Sequence, residues 1–491
     1  MKTLETLIYP PEILAQKGIA KGFPLSGITD DSRRLDRDVL FFAVRGTKSD
    51  GHAFVGEALS RGAVPVVDRL DVFEELPVGV LVKSTHRALA LGTSRWLGNP
   101  TLSLNVVGVT GTNGKTTTTF LLGQIWKAMG LVCGVVGTVE CQIGDRRYPA
   151  THTTPSAAQL QGWFKEMADE KVSHAALEVT SIALDQERVT GTRFQVGLFT
   201  NLTQDHLDYH KDFENYYLAK LKLFREFELP YGIFNVDSDW GIRLKKESSA
   251  NTKFSFSLLD PLADFFPRSA HFDRKGIHAI CATPVGDIEV KSPLIGKHNL
   301  ANALGTIAVI HALGQDVRRA AVILAESPGA PGRLERVAQG EGRANIFVDY
   351  AHTSDALKNV LNSLRELRGE APGRIITVFG CGGDRDRGKR PLMAKVASEL
   401  SEVTIATSDN PRTEDPDLII DQIEDGIDRT HTSYHREVNR RSAICYALSI
   451  AGPEDLVLIA GKGHETYQII GTEQFPFDDR QVIRDYYRIV I

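Results

Sequence analysis

The chain has 491 residues, and its 42% hydrophobic and 24% charged content is that of an ordinary globular protein, which excludes long disorder. A net charge of -5 without a Lys/Arg block excludes a general nucleic-acid surface, and no run reaches the roughly 20 apolar residues of a membrane span. Five scattered cysteines without a CxxC pair favour free thiols in a reducing compartment. We therefore expect a cytoplasmic protein with no nucleic-acid partner and no membrane insertion.

The length is too great for one ordinary hydrophobic core. Short apolar, β-branched runs alternate with amphipathic stretches, which is the α/β pattern. Breaks rich in proline and glycine occur around Pro100 and over residues 326–336. They predict three domains, over residues 1–99, 100–331 and 332–491.

The strongest local signal is a glycine loop between a predicted buried strand (104–111) and a predicted helix (116–130) that Gly130 ends. Such a loop folds its N–H groups around an anion, and the helix start adds its dipole. Lys115 is placed to reach the β- and γ-phosphates, and the Thr116 hydroxyl to bind Mg²⁺. Val109 stands where the strict pattern has glycine, so the loop is a variant form. The predicted nucleotide-binding residues here are Gly111, Thr112, Asn113, Gly114, Lys115, Thr116 and Thr117.

The nucleotide is predicted to be ATP, because the guanine-reading pattern Asn-Lys-x-Asp is absent from the sequence. Farther along, Glu178 follows the apolar run "AALE", as a carboxylate at a strand end does, and can share Mg²⁺ with Thr116. The segment 205–210 is dense in metal-ligand types; the alternative is a solvated polar turn before a helix.

In the last third of the chain, "RIITVFGCGG" and "DLVLIAGKGHE" repeat the design of a strand followed by glycines. A helix is predicted between residues 355 and 369, with Asp355 as a possible cap. Its apolar face comprises Leu357, Val360, Leu361, Leu364 and Leu367.

The turn Asp409-Asn410-Pro411-Arg412 places a carboxylate, an amide and a guanidinium side by side. By itself it can be solvated surface or a rigid clamp for a small zwitterion.

The motifs "GTNGKTT", "TTP", "NLTQDHLDYH", "DYAHT", "GCGGDRDRGKRPLM", "DNPR" and "GKGHE" occur together in this order. Taken together they resemble the Mur ligase family over nearly the whole chain. The resemblance implies an N-terminal uridine-nucleotide-binding α/β domain, a central P-loop ATPase domain with a mostly parallel sheet, and a C-terminal Rossmann-like α/β domain. It also implies an ATP- and Mg²⁺-dependent ligase that forms an amide bond through an acyl phosphate in peptidoglycan precursor synthesis.

The resemblance assigns catalytic roles to Lys115, Glu178 and Lys220. It implies that Lys220 carries a CO2-derived carbamate, which is physically sensible because a carbamate binds Mg²⁺ whereas an ammonium repels it. The implied metal ligands are Thr116, Glu178, His206 and carbamylated Lys220.

Further residues match substrate positions of the family. The implied ligands of the UDP-sugar dipeptide are Ser32, Thr47, Lys48, Ser49, Thr153, Thr154, Thr180, Gln186 and Arg188. The implied further ATP contacts are Asn299, Arg333, Asp349 and His352. Two departures are visible: Ile182 replaces a histidine that is common in the family, and Ser354 replaces a proline.

For the amino-acid substrate, the resemblance implies meso-diaminopimelate, held by Arg385, Asp409, Asn410, Pro411, Arg412, Gly461 and Glu465. Arg412 can grip the distal carboxylate that lysine lacks. The alternatives are a ligase that adds lysine or another diamine, a folate polyglutamylating enzyme, and a regulatory P-loop ATPase. We expect a monomer whose partners are small-molecule substrates.

Overall fold

A computed structural model describes residues 2–9, 11–46, 49–337 and 343–487 of the chain. The chain divides into two compact units, Met1–Ala263 with Ala308–Gln315, and Asp264–Ile307 with Asp316–Ile491. All five cysteines are free thiols. Within the described ranges, no helix combines the length and the apolar character needed to cross a membrane.

The first unit begins with a five-stranded sheet of order β1-β5-β4-β3-β2, in which only β1 runs antiparallel to its neighbour. Strands β3, β4 and β5 are buried throughout, as their apolar runs predict. The strands are β1 (Ile13–Lys17), β2 (Gly27–Thr29), β3 (Val39–Phe42), β4 (Val64–Val67) and β5 (Gly79–Val82), and the helices are α1 (Leu4–Leu7), α2 (Val55–Ser60), α3 (Leu70–Glu75) and α4 (Thr85–Trp96).

An eight-stranded sheet of order β13-β12-β11-β6-β10-β7-β8-β9 follows, with six parallel strands and an antiparallel hairpin, β8–β9, at one edge. Its strands are β6 (Asn105–Thr110), β7 (Cys133–Val136), β8 (Glu140–Ile143), β9 (Arg146–Pro149), β10 (His174–Glu178), β11 (Phe194–Phe199), β12 (Tyr231–Asn235) and β13 (Thr252–Phe256). Its helices are α5 (Lys115–Ala128), α6 (Ala157–Asp169), α7 (Ser181–Asp185), α8 (Leu207–His210), α9 (Phe213–Arg225) and α10 (Asp239–Glu247).

The pairing of β6 with β10 positions the predicted phosphate loop. The two strands are parallel neighbours in the sheet interior, and Glu178 pairs in register with Val109. The loop after β6 and the carboxylate that ends β10 therefore meet at the same sheet edge, where ligands of α/β folds bind. The predicted strand, loop and helix are confirmed, and Gly130 follows α5 with a φ of 84°.

The second unit holds a three-stranded antiparallel sheet, β14-β15-β16, and a six-stranded sheet of order β17-β18-β22-β19-β20-β21, parallel except for β17. Its strands are β14 (Phe266–Asp273), β15 (Gly276–Ala282), β16 (Ile288–Ser292), β17 (Glu335–Arg336), β18 (Asn345–Asp349), β19 (Ile375–Phe379), β20 (Val403–Ala406), β21 (Ser433–Arg436), β22 (Leu456–Ala460) and the hairpin β23 (Tyr467–Ile470) and β24 (Glu473–Pro476). Its helices are α12 (Val317–Leu324), α13 (Ser354–Arg368), α14 (Lys389–Leu400), α15 (Pro416–Glu424), α16 (Arg440–Ile450) and α17 (Asp479–Tyr486), while α11 (Lys297–Ala312) is shared between the units.

The sequence prediction for α13 is right about the apolar face and wrong about the cap. Leu357, Leu361 and Leu364 are buried on the sheet. The capping side chain is that of Thr353, which accepts a hydrogen bond from the Ala356 backbone N–H, whereas Asp355 lies in the first turn. Threonine and aspartate are both good caps, and the helix begins one residue earlier than predicted.

A fully buried ion pair joins α16 to α17. The Arg440 guanidinium donates to both carboxylate oxygens of Asp479, at 2.8 and 2.7 Å, and to the carbonyl of Ala460 at 3.0 Å. Both side chains are 0% exposed. Removing one partner therefore leaves the other as an uncompensated buried charge.

We expect Arg440→Met to lower the free energy of unfolding of this region by about 3–5 kcal/mol. Amide hydrogen exchange in β22, whose last carbonyl Arg440 caps, measures this change. The matched control is Arg441→Met, because Arg441 pairs with Asp485 between the same two helices at the surface. That control should cost less than about 1 kcal/mol; equal effects of the two variants would contradict the expectation.

Candidate active site

The phosphate loop is held by the segment that follows β11. The Asn113 backbone N–H donates to Asn201 Oδ1 at 2.9 Å, and the Thr200 hydroxyl donates to the Asn113 carbonyl at 2.5 Å. Thr112 Oγ1 lies 3.1 Å from the Tyr216 hydroxyl and donates to the Thr203 carbonyl at 3.2 Å. The loop is thus preformed, with α5 starting directly after Gly114.

Lys115 and Thr116 occupy the first turn of α5, which begins one residue earlier than the predicted helix. The Lys115 ammonium donates to the carbonyls of Gly111 and Thr112, at 2.9 and 2.7 Å, inside the loop that is predicted to bind phosphates. The Thr116 hydroxyl donates to Glu178 Oε2 at 3.0 Å. Two predicted oxygen ligands of a metal ion are therefore adjacent. Thr117 is buried beside them.

Glu178 is fully buried and makes further hydrogen bonds to Thr138, which the sequence analysis did not single out. The Thr138 backbone N–H donates to Glu178 Oε1 at 2.8 Å, and its hydroxyl donates to Oε2 at 3.1 Å. A Cβ on Gly137 would lie 2.1 Å from Oε1, so only glycine leaves room for the carboxylate. The bonds fix the position of the buried carboxylate.

A network of hydroxyl groups links Glu178 to the residues that the resemblance assigns to the sugar dipeptide. Thr138 Oγ1 lies 3.1 Å from Thr153 Oγ1. Thr154 Oγ1 donates to the Glu178 carbonyl at 2.7 Å and lies 3.1 Å from Thr180 Oγ1. The structure thus brings together three separate segments of the sequence.

A guanidinium completes this network. Arg188 donates to the Thr154 carbonyl at 3.0 Å and to the Gln186 side-chain oxygen through two nitrogens, at 3.0 and 2.6 Å. Burial lowers the pKa of Arg188, which remains a cation beside the threonines. Hydroxyls and a guanidinium are groups that bind sugars and carboxylates.

Ile182 replaces the family histidine in the first turn of α7. Beside it, Ser181 Oγ lies 2.9 Å from His210 Nε2. A histidine from α8 thus contacts this helix, although Ile182 itself offers no polar atom.

Lys220 lies on the buried face of α9. Its side chain is almost entirely inaccessible, and Nζ lies 4.3 Å from the centre of the Tyr216 ring. Burial, reinforced by the nearby Lys115 charge, holds the pKa of Lys220 well below its ordinary value. His206 faces the same ring, at 6.3 Å between centroids. Within the described ranges, no three His, Cys, Asp or Glu side chains form a ready-made metal cluster.

In the second unit, the turn Asp409–Arg412 is tied to the segment after β22. Asn410 Nδ2 donates to Glu465 Oε2 at 3.0 Å, and the Lys462 ammonium donates to Asn410 Oδ1 at 2.9 Å. Gly461, at a φ of 114°, would place a Cβ 2.5 Å from the Asp409 carboxylate. This packing explains why glycine is needed at position 461.

Arg412 adopts a left-handed backbone, with a φ of 52°, which is strained for a residue with a side chain. The hairpin β23–β24 holds it: the Arg412 N–H donates to the Ile469 carbonyl at 3.1 Å, and the Gly471 N–H donates to the Arg412 carbonyl at 2.7 Å. The half-buried guanidinium donates to the Gly383 carbonyl at 2.8 Å.

Glu414 holds the loop that carries Arg385. Glu414 accepts from the Asp384 backbone N–H and from two nitrogens of the fully buried Arg390. These hydrogen bonds, those of Arg390 first, lower the pKa of Glu414 to about 2. Arg385 itself is exposed at the loop tip.

The residues predicted to contact ATP from the second unit lie in two places. The buried Asp349 accepts from the Leu334 and Ala351 N–H groups, at 2.6 and 2.7 Å. Arg333 lies over the Tyr350 ring at 5.0 Å, and His352 Nδ1 lies 2.9 Å from the Tyr350 carbonyl. Asn299 is buried on α11, where its amide donates to the Ile295 carbonyl at 2.8 Å.

Comparison with known proteins gives a concordant result. The Mur ligase middle domain matches residues 109–310, and the Mur ligase, glutamate ligase domain matches residues 332–463. A UDP-N-acetylmuramoyl-L-alanyl-D-glutamate--2,6-diaminopimelate ligase of Geobacter sulfurreducens is 43% identical over 93% of this chain and 93% of its own length. The chain belongs to the Mur ligase family.

Two solved structures add to this. A structure of a UDP-N-acetylmuramoyl-L-alanyl-D-glutamate--2,6-diaminopimelate ligase superimposes on this Mur ligase with a TM-score of 0.74, at 32% identity and 99% coverage of both chains. Folylpolyglutamate synthase from Mycobacterium tuberculosis gives a TM-score of 0.60 at 18% identity over 75% of the chain and 90% of its own length. The second likeness shows a shared fold only.

Among the described residues, no contact joins the predicted sugar-nucleotide residues Ser32 and Ser49 of the N-terminal segment to this network. Ser32 begins a short 3-10 turn, and Ser49 accepts a backbone hydrogen bond from Gly46 in an exposed turn. Thr47 and Lys48 lie outside the described residues. These four assignments stay predictions.

Sequence reasoning missed several residues that hold predicted site residues in each unit of this Mur ligase. They include Thr138, Asn201, Glu414 and Lys462. Asn201 and Lys462 lie within the motifs "NLTQDH" and "GKGHE", so the neighbouring motif residues could have pointed to them. Glu414 lies two residues after Arg412 of the recognised turn, whereas Thr138 had no such signal.

We expect Gly137→Ala to reduce ATP-dependent turnover about 100-fold or more, because the new methyl group displaces the Glu178 carboxylate by an ångström or more. Phosphate release measures this. The control is Gly162→Ala on α6, where a Cβ meets nothing within 4 Å. If the Gly137→Ala variant turned over at the wild-type rate, the position of the Glu178 carboxylate would be unimportant for turnover.

Proposed function

We propose that this chain joins meso-2,6-diaminopimelate to the γ-carboxylate of D-glutamate in UDP-N-acetylmuramoyl-L-alanyl-D-glutamate, with hydrolysis of ATP to ADP and phosphate. The observation that carries this proposal is the turn in which Asn410 binds Glu465 while Arg412 stands two residues away. It presents a carboxylate and a guanidinium on one rigid support. The diaminopimelate ligases that resemble nearly the whole chain support the same substrate pair.

The first unit supplies the groups for activation of the acid. A carboxylate oxygen of D-glutamate attacks the γ-phosphorus of ATP, and the bond between that phosphorus and the β-phosphate oxygen breaks. ADP departs, and the D-glutamate carboxylate has become an acyl phosphate. Lys115 and the N–H groups of the loop stabilise the charge on the transferred phosphoryl group. Arg188 donates to the Thr154 carbonyl, and the Thr154 hydroxyl donates to the Glu178 carbonyl. Because these residues are held together beside Glu178, they orient the acid.

The second unit supplies the acceptor. Arg412 binds the distal carboxylate of diaminopimelate, and Glu465 binds an ammonium of the same molecule. The free amine of the substrate attacks the acyl carbon, a proton is lost, and the C–O bond to phosphate breaks. Lysine lacks the distal carboxylate and would leave Arg412 without its anionic partner, which disfavours lysine by several kcal/mol at most.

Mg²⁺ fits the donor set of the first unit, because Thr116 and Glu178 place two oxygen ligands 3.0 Å apart beside the phosphate loop. Bound there, the ion would neutralise phosphate charge. We propose Thr116 and Glu178 as its ligands, with His206 and Lys220 on the side of the Tyr216 ring.

We also propose that Lys220 is carbamylated. Its buried amine lies in surroundings that disfavour an ammonium, and a neutral amine adds to CO2 to form an N–C bond with loss of one proton. The product is an anionic oxygen ligand for the metal ion. We also propose a cytoplasmic location, because the reaction uses ATP and the thiols are free. A monomeric state is proposed as well.

The function is tested by supplying diaminopimelate and lysine in equal concentration with ATP and the UDP-sugar dipeptide. We expect phosphate release that requires both substrates, and a product whose mass contains diaminopimelate. ATP hydrolysis without a new nucleotide-sugar product would show a regulatory ATPase. In the same assay, Arg412→Met should lower the preference for diaminopimelate over lysine about 100-fold, whereas the exposed Arg365→Met should leave it unchanged.

The carbamate is tested by ¹³C NMR after incubation with ¹³C-bicarbonate. Wild-type protein and Lys222→Met should both show a carbamate resonance, because Lys222 is a partly exposed neighbour paired with Asp185. Lys220→Met should lose both that resonance and most of its turnover. Retention of the resonance in Lys220→Met would assign it to another amine.

A further inference from the structure

Lys462 lies in the loop after β22, and its ammonium is fully buried among polar groups around the turn Asp409–Arg412. Nζ donates to Asn410 Oδ1 at 2.9 Å and to the Tyr467 carbonyl at 2.7 Å. It also lies 3.4 Å from Glu465 Oε2 and 3.7 Å from Asp409 Oδ1. Lysine is rarely buried to this extent unless its charge is paired.

The ammonium balances two carboxylates that would otherwise repel each other. Asp409 and Glu465 both approach Lys462, and burial disfavours the ionised form of Glu465. Removing the cation would leave two partly buried anions without their shared counter-charge.

Lys462 also fixes the orientation of the Asn410 amide. An ammonium and a backbone N–H can only donate, so the atom that receives both Lys462 and the Ile469 N–H, each at 2.9 Å, must be the amide oxygen. The amide nitrogen must then face Glu465 Oε2, as observed at 3.0 Å. Glu465 Oε1 makes no hydrogen bond within the part of the chain that the structure describes, and is left for an incoming ligand.

We propose that Lys462 is a positioning residue for the acceptor amino acid: through Asn410 and Glu465 it keeps one carboxylate oxygen aimed at the ammonium of that substrate. The proposal rests on the proposed function and deepens it. Lys462 is too buried to touch the substrate, so it acts only through its neighbours.

The pH dependence should reveal this role. Burial raises the pKa of Glu465, and the ammonium of Lys462 counteracts part of that rise. The titratable and charged groups that face Glu465 are Lys462, Asp409, Arg440, Tyr350 and Tyr467. Because Glu465 binds an ammonium only when ionised, removing Lys462 should move the acid limb of kcat/KM for diaminopimelate to higher pH.

The test compares Lys462→Met and Lys462→Arg with the exposed control Lys358→Met in the complete protein. For Lys462→Met we expect the KM for diaminopimelate to rise about 30- to 100-fold, by loss of a charge-assisted network. The KM values for ATP and for the UDP-sugar dipeptide should stay within about 2-fold, and the acid limb should shift upward. Lys462→Arg, which keeps the charge, should recover part of the affinity for diaminopimelate.

An unchanged KM for diaminopimelate and an unmoved acid limb would overturn the proposal. So would a parallel rise in all three KM values, or loss of soluble protein for both variants at position 462, since either result indicates a purely structural lysine. Failure of the proposed function would be seen separately, as absence of the diaminopimelate-containing product in the wild-type protein.

Discussion

The parallel pairing of β6 and β10 is the constraint on which the nucleotide side of this protein depends. The register that sets Glu178 beside Val109 brings the end of β10 to the start of the phosphate loop. Thr116 can therefore donate to a carboxylate that lies far away in sequence. Parallel strands require this arrangement, because their carboxyl ends always share one edge of the sheet.

Buried polar groups fix the positions of the predicted site residues in each unit. In the first unit, threonine hydroxyl groups donate to Glu178, and the carbonyl of Thr154 accepts a hydrogen bond from Arg188. In the second unit, two fully buried cations, Arg390 and Lys462, hold the loops that carry the residues predicted to bind the amino-acid substrate. Burying such charges is costly unless every partner is in place, so each network has essentially one acceptable arrangement. A site of this kind selects substrates by geometry as well as by charge.

The strained backbone of Arg412 fits the same principle. A left-handed residue with a large side chain persists only where its surroundings enforce it, and here the hairpin β23–β24 pairs with both of its backbone groups. The guanidinium is thereby presented from a fixed turn. Loss of the hairpin contacts would release the strain and the orientation together.

The amino-acid sequence by itself determined the α/β class, the strand, loop and helix around Gly114, the apolar face of α13 and the family. These features depend on neighbours within a few residues, which the sequence displays directly. Even locally, the sequence offers two good capping residues at the start of α13, and the N-cap is Thr353 rather than Asp355. Only the tertiary structure decided that Thr138 supports Glu178 from 40 residues away, that Asn201 holds Asn113 from 88 residues away, and that Lys462 orients Asn410 from 52 residues away. Such contacts follow from strand order and loop packing, and no pattern of residues along the chain encodes them locally.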